Sequence, residues 1–299
     1  MDRRGYVKGT YIPGASNPGV MREDIGGGAL NALRGAVQLG IDCTMLSVRG
    51  GDSQGESVAQ AITEAGIIDM SVTFLDRATP SYTALLDPNG DLIAGLADMS
   101  LYDIAFPKQI TRSGARTAIA AHDAILCDGN VPQSGLERIT NLAQANPLYA
   151  IAVSPAKIVR FRSCLTKLKC LFMNVREAQA LTGAQDANNL AARLRDSGLG
   201  TGVVTNGDDV ITVFDGSDEW QLRPPASQST VDVTGAGDAL AGATVSALLK
   251  GQSLTEAVRY GVAAALLTLE CAQTVALLSA DAINRKLATV PQIGPRKSL

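Results

Sequence analysis

The run Asp232-Val-Thr-Gly-Ala-Gly-Asp-Ala-Leu240 sets two glycines around an alanine, directly before an aspartate and an apolar-periodic segment. Ala239, Leu240, Ala243, Leu248 and Leu249 recur at helical spacing and Gly251 supplies a stop, so Thr234 or Gly235 stands at a helix N-terminus. The first N–H groups of a helix have no partners within it and carry the positive end of its dipole, which disposes them to hold phosphate or a developing oxyanion. Gly235 and Gly237 tolerate positive φ and let a ligand approach the backbone. Asp238 points a carboxylate into the same place. Spacing alone leaves two readings open: an anion cradle with a base beside it, and a Gly-rich turn whose aspartate only complements the helix dipole.

The chain holds a single histidine, His122, just before the apolar run Asp123-Ala-Ile-Leu-Cys127. With no second histidine and no Gly-x-Ser-x-Gly elbow, a Ser-His-Asp hydrolase has little to stand on, and a general base is expected to be a carboxylate. The 299 residues are 46% hydrophobic and 18% charged, enough to bury a large core in one or two domains. A net charge of -3 gives no reason to expect nucleic acid. Cys43, Cys127, Cys164, Cys170 and Cys271 form no Cys-x-x-Cys pair, so neither a disulfide framework nor a zinc site is indicated, and a reduced cytoplasmic setting is expected. The first twenty residues lack the apolar core of a signal peptide. Residues 261–280 are apolar, but Glu270 and Gln273 interrupt them and their alanines suit a packed helix rather than a membrane span.

These groups need elements to position them. From residue 123, short apolar runs (124–127, 149–153, 171–173, 202–204, 210–214) alternate with helical patterns (135–145, 156–168, 175–181, 187–194). That alternation marks a parallel sheet with crossover helices, in which ligands bind beyond the carboxyl ends of the strands. Upstream, residues 6–12, 72–75, 81–86 and 92–96 read as strands, the last two joined across the turn Asp87-Pro-Asn-Gly90. They do not alternate with helices and fit a small antiparallel sheet projecting from the main domain, one face of which needs cover from substrate or a partner subunit. Between them lie a helix from Asn31 to about Leu39, a strand over 43–48 and a helix over 56–65. Gly26-Gly-Gly28 permits close backbone approach to a ligand, and Asn31 offers an amide that both donates and accepts.

Four elements, in order along nearly the whole chain, resemble the PfkB family of ribokinase-like carbohydrate kinases. The glycines at 26–28 with Asn31 look like the first family signature, and Asp232 to Asp238 like the second; Asn174-Val-Arg-Glu177 matches an Asn-x-x-Glu element, and Thr205-Asn-Gly207 resembles a Thr-x-Gly turn. The resemblance implies one ribokinase-like α/β domain over 1–299, a doubly wound and mostly parallel sheet with a small antiparallel β lid drawn from about 5–13 and 70–98. It also implies transfer of the γ-phosphoryl group of ATP to a hydroxyl, with Asp238 as base and the N–H groups of Gly235, Ala236 and Gly237 steadying the transferred group. Thr234, Thr205 and Gly207 would meet the nucleotide. Asn174 and Glu177 would serve Mg2+ directly or through water, and Asp232 would lie near a monovalent-cation site such as one for K+. Gly27, Gly28, Asn31 and Asp2 would bind the acceptor, and the lid would pair two copies into a homodimer.

Within the family, Ile12 to Gly19, Gly90 to Asp103, Asp128-Gly-Asn130 and Gln273 to Ser279 are similar to segments of the pseudouridine kinase branch. That likeness makes the 5'-hydroxyl of a nucleoside the expected acceptor, with another nucleoside or a free sugar as the alternative. Two departures stand out. The family's first core strand leads into the aspartate matched by Asp2, which here follows Met1, so an N-terminal strand of the main sheet is expected to be missing. Asp208 follows Gly207 where the family often has glycine. A non-catalytic ligand-binding relative is the competing reading, against which the retained Asp238, Asn174 and Glu177 speak.

Overall fold

Leu148-Tyr-Ala-Ile151 and Cys170-Leu-Phe-Met173 contain no carboxylate or amine, and both become strands buried on both faces, as a sheet covered by helices on either side requires. The computed structural model describes residues 1–227, 229, 233–271 and 273–295. In chain order the first half comprises β1 (Asp2–Val7), β2 (Gly19–Asp24), α1 (Gly28–Gln38), β3 (Thr44–Met45), β4 (Val48–Gly50), α2 (Ser53–Glu64), β5 (Ile68–Asp69), β6 (Val72–Phe74), β7 (Ser81–Leu86), β8 (Leu92–Asp98), α3 (Ser100–Gln109) and α4 (Ser113–Ala121). The second comprises β9 (Ile125–Asp128), α5 (Gln133–Ala143), β10 (Leu148–Ile151), α6 (Pro155–Ile158), β11 (Cys170–Asn174), α7 (Val175–Thr182), α8 (Leu190–Asp196), β12 (Thr201–Thr205), β13 (Ile211–Asp215), β14 (Asp218–Leu222), α9 (Ala236–Leu249), α10 (Leu254–Leu269), α11 (Ala280–Leu287) and β15 (Gly294–Pro295).

The main sheet runs β15-β14-β13-β12-β11-β10-β9. Its β9 to β12 ladders are parallel, and those from β12 to β15 antiparallel. Alternation along each strand sends Tyr149, Ile151, Phe172 and Val203 to the face covered by α9 and α10, while Ala150, Leu171, Met173 and Val204 meet the α5, α7 and α8 side. The expected strand over 210–214 forms but turns antiparallel, because the short link from β12 cannot hold a crossover helix. Two short parallel ladders, β3 with β5 and β4 with β6, stand beyond β9. Among the described residues no strand pairs with the outer edge of β9, and a groove of about 340 Å3 lined by Cys43, Leu46, Ile125, Leu126 and Val245 separates it from β3.

The lid is a four-stranded sheet, β2-β1-β7-β8, with antiparallel pairs at its flanks and a parallel pair, β1 with β7, at its centre. The expected strand over 6–12 lies earlier, over Asp2–Val7, and bends follow from Lys8. Asp2 therefore sits inside a paired strand, opposite Asp24 and Tyr82, and the Met1 ammonium donates to the Pro80 carbonyl at 3.0 Å. The helix expected over 156–168 is only α6 followed by two 3-10 turns. Ile158, Phe161 and Cys164 are buried at a spacing of three, which a three-residue turn presents on one face and an α-helix does not. The apolar stretch over 261–280 ends as a helix at Leu269, and no helix of the described residues is long and apolar enough to cross a membrane.

Candidate active site

Gly235 takes φ +81 and caps α9; a side chain there would run into the Thr274 carbonyl. Ala236, Gly237 and Asp238 form the first turn, whose amides have no acceptor within the helix, and no atom of the described residues lies within 4 Å of a Cβ at Gly237. Opposite, Gly27 at φ +116 and ψ 118, a conformation reserved to glycine, caps α1. Gly28 follows so closely that a Cβ would lie 3.1 Å from Asp238 Oδ1 and 3.6 Å from Asp128 Oδ2. Two helix starts thus face each other across the carboxyl ends of the strands.

Asn31 Nδ2 donates to Asp238 Oδ2 at 2.9 Å, while Asn31 Oδ1, in a residue only 4% exposed, has no partner among the described residues. Asp128 ends β9 and accepts from the Ala29 N–H at 3.0 Å and from the Asn130 N–H at 2.9 Å. Lys157 Nζ donates to Asn130 Oδ1. The Asp2 carboxylate packs against Gly26, where a side chain would displace it. Asp2, Gly27, Gly28, Asn31, Thr234, Gly235 and Asp238 all line one cavity of about 530 Å3, as do Asp128, Asn130 and Lys157.

Charge is concentrated there. Burial pushes the Asp238 carboxyl up to about 7; the Asn31 bond opposes this, and the negative Asp128, Asp2 and Glu177 add to it. Burial likewise raises Asp2 against the opposing pull of the N-terminal ammonium and Arg4. Lys157 is lowered by burial, with Asp128 partly restoring it. A carboxyl that holds its proton until near neutrality is poised to take one from a hydroxyl at physiological pH.

Asn174 and Glu177 do not line this cavity. They form a capping box at the start of α7: Glu177 Oε2 accepts from the Asn174 N–H at 2.7 Å, and Asn174 Oδ1 from the Glu177 N–H at 2.9 Å. Glu177 is 5% exposed, and burial raises its carboxyl. Its charge nevertheless reaches Asp238. Asn174 pairs in register with Thr205, so both stand at the carboxyl ends of adjacent strands, and Gly207 turns the chain at φ +58. No three His, Cys, Asp or Glu side chains of the described residues gather as a closed metal site; Mg2+, which keeps phosphate and water oxygens, needs none. Glu177 Oε1 takes no part in the capping box and Asn174 stands beside it, a donor set of two hard oxygens that suits such an ion. Asp232, expected near a monovalent cation, lies outside the described residues.

Three residues join the site that its expected members did not include: Asp128, Asn130 and Lys157. Asp128 carries a signal in the sequence, a carboxylate closing an apolar strand run; Lys157, inside an unremarkable helical pattern, carries none. Val153 is a further addition: a β-branched residue at φ +73 on the cavity wall, a conformation that L side chains avoid.

The pfkB family carbohydrate kinase profile matches residues 1–281. Pseudouridine kinase of Escherichia coli (strain K12) is 28% identical over 280 residues, covering 92% of this chain and 89% of that protein. A carbohydrate kinase from Agrobacterium tumefaciens superposes with a TM-score of 0.84 at 43% identity, covering 99% of this chain and 96% of the other. Arabidopsis thaliana ribokinase complexed with ribose and ATP shares the fold, with a TM-score of 0.81 at 18% identity over 96% and 95% of the two chains. With that fold around Asp238 and its two facing helix starts, the chain belongs to the pfkB family of carbohydrate kinases.

Proposed function

We propose that the protein is an ATP-dependent kinase acting on the 5'-hydroxyl of a nucleoside, pseudouridine first among them. The observation that carries the chemistry is Asp238. It stands at the first turn of α9, clasped by Asn31, with a carboxyl held near 7 by burial. Asp238 accepts the hydroxyl proton as the acceptor oxygen bonds to the γ-phosphorus and the bridge oxygen to that phosphorus leaves with ADP. The amides of Gly235, Ala236 and Gly237 receive the negative oxygens of the transferring group, and the dipole of α9 adds to their pull. Asn31 orients the base, while Asp2 and Asp128 offer acceptors to sugar hydroxyls. Asn174 and Glu177 would hold Mg2+ through one direct or water-mediated oxygen each, and the ion would neutralise phosphate charge when bound. Thr205, Gly207 and Thr234 would border the nucleotide, with Asp232 near a monovalent cation such as K+.

The size of the cavity and the likeness to pseudouridine kinase support a nucleoside over a free sugar. A coupled ADP-release assay over pseudouridine, uridine, adenosine, ribose and fructose tests this. Turnover confined to free sugars would remove the nucleoside reading, and no turnover alongside nucleoside binding would favour a non-catalytic relative.

We also propose that the lid pairs two copies. Asp2 and Tyr82 face the cavity, so alternation turns Gly5, Met21, Leu85 and Leu96 outward, with Met21 57% and Leu96 72% exposed. Met21 and Leu85 close over Gly5 to make an apolar patch on that face, beside the Arg3–Glu23 ion pair, and the patch suits contact with its own copy. Met21→Glu with Leu96→Glu should convert a dimer to a monomer in sedimentation; a wild-type monomer at assay concentration overturns the pairing.

A further inference from the structure

The cavity continues past Asn31 and Asp2 into a chamber walled by Met45, Val48, Val58, Ile62 and Met99. A pentose, polar on every edge, has no use for such walls; a flat heterocycle has. At the far side the register Val48 to Val72 and Arg49 to Thr73 sets Arg49 and Ser71 on one face of the ladder, diagonally across it, and both line the cavity. Arg49 is clamped: its NH1 donates to Asp69 Oδ2 and its Nε to Thr73 Oγ1 at 3.1 Å. Ser71, between those two anchors in sequence, donates its backbone N–H to Asp69 Oδ1 at 2.9 Å. Its hydroxyl is buried without a partner among the described residues, whereas the neighbouring Ser47 hydroxyl is taken by Tyr102 Oη at 2.6 Å.

We propose that Ser71 and Arg49 read the polar edge of the acceptor's ring, selecting a heterocycle that presents adjacent carbonyl and N–H groups, as a uracil ring does. This rests on the nucleoside reading above. The Ser71 hydroxyl can donate to a carbonyl oxygen and accept from a ring N–H, and the guanidinium, fixed by two bonds, keeps donors for a second carbonyl. The apolar walls hold the ring faces. A free sugar leaves Ser71 unsatisfied and the chamber wet, so the device favours nucleosides without touching the phosphoryl chemistry. Both residues are specificity determinants, not members of the catalytic apparatus.

The test compares wild type, Ser71→Ala, Ser71→Thr and Arg49→Lys, each with pseudouridine, uridine and ribose, at saturating ATP and Mg2+. Ser71→Ala should lower kcat/KM for pseudouridine about 10- to 100-fold through KM, with kcat and ribose turnover within about twofold of wild type. Ser71→Thr, which keeps the hydroxyl, should restore most of that loss, and Arg49→Lys should lose nucleoside preference while melting as the wild type does. Unchanged nucleoside KM in Ser71→Ala, or an equal loss for ribose and nucleoside, overturns the inference and leaves the nucleoside kinase standing. Wild-type protein that phosphorylates ribose but neither nucleoside sinks the nucleoside reading itself, and the role of Ser71 with it.

Discussion

At the end of the cleft where we propose phosphoryl transfer, the candidate groups come from short stretches of chain: Thr234 to Asp238 around one helix start, with Asn174 to Glu177 outside the cavity around another. At the acceptor end the contacts that draw the segments together span long stretches of chain. Asn31 reaches Asp238 across 207 positions, Ala29 reaches Asp128 across 99, and Asp2 comes from the lid. The first end is fixed by helix termini, which form with their helices. The second exists only when lid, α1, β9 and α9 are all in place. Chemistry and selection should therefore fail separately: damage to a helix start removes turnover, whereas damage to the lid side removes recognition.

Asp238→Asn tests that separation most severely: it should lower kcat roughly 10²- to 10⁴-fold and leave nucleotide affinity within about threefold in a calorimetric titration. Near-normal turnover would remove the base. The same variant carries a stability signature. Because the folded carboxyl titrates near 7 and an exposed aspartate near 3.8, the native state binds the proton more tightly. Stability from this group is therefore full below about pH 4 and lost as pH rises towards 7. Asp238→Asn should raise the melting temperature at pH 8, by roughly 1–3 kcal/mol of stability, and change little at pH 4.

Next in size is the wild-type pH profile: kcat/KM should climb about tenfold per unit below neutrality and level off above about pH 7. Asn31→Ala should raise acceptor KM roughly tenfold and move that limb to higher pH, because it removes the bond that lowers the Asp238 carboxyl. A limb that stays in place separates Asn31 from the base. Smaller again, Glu177→Gln should keep the capping geometry and the melting temperature while raising the Mg2+ needed for half-maximal rate severalfold; unchanged Mg2+ dependence would leave Glu177 a structural cap. Least of all should change at Val153, where Asn accepts the left-handed backbone. Val153→Asn should stabilise by about 1 kcal/mol with less than threefold change in turnover.

The same divide decides what can be read from the residues. Asp238 with Gly235 to Gly237 is legible because helix start, glycine freedom and anion chemistry are local properties, and the alternation of 124–214 fixes the layers around it. The stretch over 156–168 shows the limit of pattern: Ile158, Phe161, Leu165 and Leu168 recur three and four apart as an α-helix requires, and only packing selects the 3-10 face that Ile158, Phe161 and Cys164 share. Lys157 and Val153 enter the cavity only because β10 and its following turn lie beside β9, a fact held in long-range pairing. The strand Gly19–Asp24, exposed along most of its length, carries no buried alternation and exists through its ladder with β1.

The unpaired edge of β9 has a kinetic consequence. The N–H groups of Ile125 and Gly129 point to β10, bonding the carbonyls of Pro147 and Ile151, so those of Leu126 and Asp128 point away from it, Leu126 beside the groove. In deuterium the backbone should exchange in alternation, fast at Leu126 and Asp128 and slow at Ile125 and Gly129. The strand tip that opens first also carries the carboxylate gripping Ala29 and Asn130. Breathing of this edge should therefore loosen the proposed acceptor end, and exchange at Asp128 faster than at the first turn of α9 would show that the two open separately.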